Sequence, residues 1–112
     1  MTVTAKVLIA AKNAENSQTT QYTATGVTTI IDKFTATNYS SGTETLSVNL
    51  VTSADTAGNQ NLVVKTKSLQ PGETYTFPEL VGHVLAASGF ISTIASAATS
   101  INIRASGREI TA

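Results

Sequence analysis

Apolar and polar residues alternate with a period of two through most of this chain, which predicts strands. "TVTAKVLIA" puts Val3, Ala5, Val7 and Ile9 on one strand face, while Leu8 and Ala10 make its end apolar on the other face too. "SQTTQYTAT" predicts a polar strand carrying Tyr22 and closed by Gly26. "VTTIIDKFTATNY" predicts a longer strand whose inward parity shifts at Ile30–Ile31, as a β-bulge would require. "NYSSGTE" reads as a loop with Gly42 at positive φ, and "TETLSVNLV" alternates Leu46, Val48 and Leu50. The two strands flanking that loop therefore read as a hairpin, with Phe34 and Ala36 opposite the leucines and valine.

Beyond the loop "TSADTAGNQN", the stretch "LVVKTKSL" sets Leu62, Val64 and Thr66 against Lys65 and Lys67, which leaves one face solvated. Pro71–Gly72 predicts a type II turn leading into a strand with Tyr75 and Phe77. Leu80, Val81, Val84 and Leu85 recur at helical spacing between Pro78 and Gly89, predicting a short helix near residues 79–87. "FISTIAS" and "TSINIRASG" close the chain as strands. About eight strands and one short helix, with no linker or repeat, predict a single domain over residues 1–112. The fold class is all-β, an antiparallel β-sandwich of jelly-roll or immunoglobulin-like order.

Composition narrows the function. Charged residues make up 12% of the chain against about 25% in ordinary domains, and seven cations balance seven anions. That leaves no basic surface of the extent nucleic-acid binding needs, so no nucleic-acid partner is expected. Twenty Thr and eleven Ser make the polar surface largely hydroxyl, and a weakly charged surface is poorly protected against self-association. Without cysteine there is neither a disulfide framework nor a thiolate metal site. No apolar run approaches the roughly 20 residues of a membrane helix, and "MTVTAKVLIAAKN" lacks the features of a secretory signal. Folding in a cytosol, with no membrane partner, is the expectation.

Candidate chemistry is sparse. His83 is the only histidine, with no Gly-x-Ser-x-Gly elbow and no Cys or second His to share a metal, so a surface or interface role is expected. Asp55, Asn59 and Asn61 offer oxygens without an EF-hand spacing and read as a solvated loop. Asn38 begins an Asn-Tyr-Ser glycosylation pattern, taken as a chance match. Asp32, Glu44, Glu73 and Glu79 would have to meet in space to act as paired acids, and scattered acids are usually solvated. No enzyme activity, catalytic residue, metal or cofactor is therefore expected. Candidate interface residues are Val7, Leu8 and Ile9 on the two-sided first strand, with Arg104 and Arg108, the only arginines, suited to bidentate carboxylate contacts. The small-residue tract "STIASAATS" would likewise allow close approach of sheets.

"FTATNYSSGTETLSVNLV" and "LQPGETYTFPELVGHVLAASGFISTIASAATSINIRASGREI" resemble small proteins encoded among the virion structural genes of tailed bacteriophages. The likeness lies in a strand with an Asn-containing turn, a Gly-Glu-x-Tyr strand, a short apolar segment ending in Leu and small residues, and a final Ser-Gly-x-Glu-Ile strand. It spans about residues 33–110 and designates no functional residues. The resemblance implies a non-enzymatic virion protein, first of all a capsid cement or decoration protein at the head surface. Its expected partners are the major capsid protein and copies of itself, as a trimer more than a dimer. A neck or tail subunit, or a receptor- or glycan-binding sandwich using Tyr22, Tyr39 or Tyr75, are the alternatives.

Overall fold

The alternating segments form nine strands in a computed structural model that describes residues 1–112. They are β1 (Thr2–Asn13), β2 (Thr19–Thr23), β3 (Thr28–Asn38), β4 (Glu44–Val51), β5 (Leu62–Leu69), β6 (Thr74–Tyr75), β7 (Val84–Leu85), β8 (Phe90–Ala95) and β9 (Ile101–Thr111). Sheet I runs β1-β9-β3-β6, with β7 also on β3, and sheet II runs β2-β8-β4-β5. All pairs are antiparallel. The pairing nests: β1 with β9, β2 with β8, β3 with β6 and β7, and β4 with β5. A chain doubled back at the β4–β5 tip and then rolled into two sheets is a jelly roll, so strand order decides against the immunoglobulin-like alternative.

The core lies between the sheets, where Ile31, Phe34, Leu46, Leu69, Phe77, Leu80, Ile91, Ile101 and Ile103 are fully buried. Phe77 meets Phe34 edge to face at 5.2 Å and Tyr75 at 4.8 Å, the arrangement aromatic quadrupoles favour. Ala14 and Ala24, both 0% exposed, sit where the chain crosses between sheets. There the Ala14 N–H donates to Ile101 O at 2.9 Å, and the Ala24 N–H to Gly89 O at 2.8 Å.

Three expectations are corrected. The strands flanking residues 39–43 are not a hairpin: β3 belongs to sheet I and β4 to sheet II. Both edges of β3 are taken by β9 and by β6 and β7, so Phe34 and Ala36 face the core opposite sheet II instead of pairing within one sheet with β4. Nor is Gly42 at positive φ; in this chain Gly26, Gly72 and Gly82 are. Asn38 shapes the crossing instead. Its buried amide donates to Gly42 O at 2.8 Å and Leu69 O at 2.9 Å, while its oxygen accepts from the Ser40 N–H and hydroxyl.

The helix near residues 79–87 is absent. Leu80, Val81 and His83 donate to carbonyls three residues back, which makes a series of turns rather than helix. The main chain then bonds sideways to β3, with the Gly82 N–H on Ile31 O (2.7 Å) and the Ile31 N–H on His83 O (3.0 Å). Leu80 and Leu85 are buried, whereas Val81 and Val84 are exposed, so the apolar residues never shared one face. Long-range pairing to β3 outcompetes local helical hydrogen bonds that Gly82 already weakens.

Other expectations hold. Gly72, at φ 78°, takes the position after Pro71 that a type II turn requires, and Glu73 N–H donates to Gln70 O. A bulge does interrupt β3, though at Asp32, between Ile31 and Lys33, and not at Ile30–Ile31. A second bulge in β1, between Val7 and Ile9, explains the apparent two-sidedness of that strand: Leu8 and Ile9 are consecutive and both buried, at 6% and 2% exposure.

Candidate functional site

Two surfaces remain once the core is accounted for. The first is a cleft of about 460 Å³ at one open side of the sandwich, between the β4–β5 end of sheet II and β7. Leu50, Leu62, Val63 and Leu85 line it together with Ser53, Gln60, Asn61 and His83. His83 is its only titratable lining residue, and its side chain is exposed. No Asp, Glu, Lys or Arg borders the cleft, so nothing there orients the imidazole or accepts its proton. What it offers chemically is apolar contact and amide hydrogen bonds. None of Tyr22, Tyr39 or Tyr75 lines it.

The second surface is the outer face of sheet I. Pairing sets Val7 beside Ser106, Ser106 beside Lys33, and Arg104 beside Thr35. Lys33, Thr35, Arg104 and Ser106 frame a shallow depression of about 280 Å³. The bulge at Asp32 turns Lys33 outward into this group. Neither Lys33 nor Arg104 has an ion pair, whereas Arg108 grips Asp32 with Nε and Nη2 at 2.8–3.2 Å. The guanidinium holds the Asp32 carboxyl below the usual carboxylate range and is itself pushed upward. Val7, 46% exposed, adjoins the Lys33–Arg104 group through Ser106, whereas the exposed Val84 lines the cleft.

The candidate interface residues thus separate. Leu8 and Ile9 are spent in the chain's own core; Val7, Arg104 and Arg108 lie on the outer face of sheet I. Lys33 was not singled out from sequence. Its proximity to Arg104 depends on the register of β3 against β9 and on a bulge, neither of which leaves a mark in spacing.

The scattered acids do not assemble. Asp32 faces Arg108, Glu44 accepts from Ser96, Glu73 from the Gln70 N–H, and Glu79 from the Tyr75 hydroxyl. No group of three His, Cys, Asp or Glu side chains could hold a metal. In the 52–61 loop, Asp55 accepts from the Thr56 N–H and from Gln60, and Asn61 bridges Gly58 and Asn49, so these oxygens serve the loop itself. Asn38, fully buried, offers no nitrogen to a glycan.

Comparison with protein-family models, with curated proteins and with solved structures finds no match to this chain.

Proposed function

We propose that this chain is a non-enzymatic structural protein of a phage virion, a decoration protein that binds the head lattice and stabilises it by protein–protein contact. The observation that carries the reading is the outer face of sheet I: Lys33 and Arg104, two cations without ion pairs, share an acid-free depression with the Thr35 and Ser106 hydroxyls, next to the exposed Val7. Apolar surface with a few Arg-type anchors is the composition of a protein interface rather than of a catalytic pocket. A shell protein seated there gains buried area across neighbouring subunits, and about 800 Å² per partner suffices for a specific contact. Low net charge supports dense repetition, because neighbouring copies repel weakly. Jelly rolls recur in capsid and lectin domains, which agrees with the resemblance in residues 33–110 but also keeps the glycan-binding alternative in play. The absence of any tyrosine from the cleft lining weighs against that alternative.

The test is co-sedimentation of the purified protein with phage heads that lack it. Saturable binding at a stoichiometry set by the lattice, with greater resistance of the heads to disruption, is the expected result. Binding to tails and not to heads would move the protein to the neck or tail; binding to neither would sink the virion reading.

A further inference from the structure

Three ion pairs, Lys6–Glu109, Lys12–Glu15 and Arg108–Asp32, neutralise part of the surface charge. What remains is segregated. Lys33 and Arg104 share one depression on sheet I, with the hydroxyls of Thr35 and Ser106 and no acid in its lining. Neighbouring like charges on a sheet face are destabilising unless something neutralises them. Glu73 and Glu79 flank β6, the edge strand that pairs with β3 in the same sheet. Each uses one carboxylate oxygen within the chain, on the Gln70 N–H and the Tyr75 hydroxyl, and leaves the other without a hydrogen bond. The nearby Lys67 is turned over the Tyr75 ring, 4.3 Å from its centroid, and pairs with neither acid.

We infer that copies of this chain associate, the Lys33–Arg104 face of one copy receiving the Glu73–Glu79 turn of another. Charge complementarity selects this occupant and this orientation. A two-fold axis through the Lys33–Arg104 depression would oppose these cations to their own counterparts, and like-charge juxtaposition across an interface is strongly unfavourable. The two patches can meet reciprocally across a two-fold axis set beside the depression, or repeat around a ring. The inference deepens the self-association within the proposed function and rests on that part of it, but it does not depend on the phage particle.

Analytical ultracentrifugation of the purified full chain tests it. At low ionic strength the wild type should sediment as a closed oligomer, and it should dissociate as salt screens the contact. Lys33→Glu/Arg104→Glu and Glu73→Lys/Glu79→Lys should each weaken association at least about tenfold. An equal mixture of the two variants should associate again, which a misfolded variant could not do. A wild type that stays monomeric at low salt, variants that associate like the wild type, or a mixture that fails to recover would each overturn the inference. Head binding in the co-sedimentation experiment would still stand in those cases.

Discussion

Tyr22 of β2 donates its hydroxyl to the Glu109 carboxylate of β9 at 2.5 Å, and the Thr29 hydroxyl of β3 lies 2.6 Å from the same oxygen. One phenol therefore ties sheet II to two strands of sheet I. Burial, and then the neighbouring carboxylate, push its pKa from 10.0 up to about 12. A group whose folded pKa is raised stabilises the fold fully below its unfolded pKa and loses that contribution as pH climbs through the folded value. Stability should therefore fall between about pH 10 and 12, and Tyr22→Phe should flatten that part of the profile. At neutral pH the same substitution should cost about 1–3 kcal/mol by leaving the Glu109 acceptor without its donor. Urea unfolding across this pH range reads both effects.

Asn38 makes all its hydrogen bonds inside the protein, at the crossing from sheet I to sheet II. Asn38→Ala should cost about 2–3 kcal/mol in chemical denaturation, since the buried Leu69 carbonyl loses a donor. Asn38→Asp should be no milder, because a carboxylate keeps the acceptor but cannot donate to either carbonyl.

Gly107 sits in β9 between two bulged neighbours, opposite Ile31 and Lys6. A Cβ there would run into the Ile30 carbonyl and lie 2.9 Å from Leu8 Cδ1. Gly107→Ala should therefore destabilise by about 3 kcal/mol, because a backbone atom cannot swing aside as a flexible side chain would. Gly42→Ala is the contrast: its Cβ would meet only Glu44 Oε2, at 3.8 Å, and its φ is not positive. That change should stay within about 0.5 kcal/mol of wild type. Thermal melts of the pair compare them directly.

His83→Ala should leave thermal stability within about 0.5 kcal/mol of wild type, because the ring is exposed and its neighbours use only the main chain of that residue. Head binding should be equally indifferent if sheet I carries the contact. A large loss of binding in the co-sedimentation assay would shift the docking surface to the cleft.

The alternating pattern alone specified an all-β fold, because period-two burial is a property of each strand and needs no partner to be seen. Leu46 and Val48 could be placed inward in that way, and the Pro71–Gly72 turn followed from local backbone sterics. Which strand pairs with which was a different matter. Sheet I exists because β9, last in sequence, inserts between β1 and β3, a choice made by contacts roughly 60 or more residues apart in the chain. The same distant pairing drew residues 79–87 out of a helix and onto β3, and its bulges brought Lys33 beside Arg104. Local spacing carries no record of such registers, so the surface chemistry of this protein became readable only after the chain had folded.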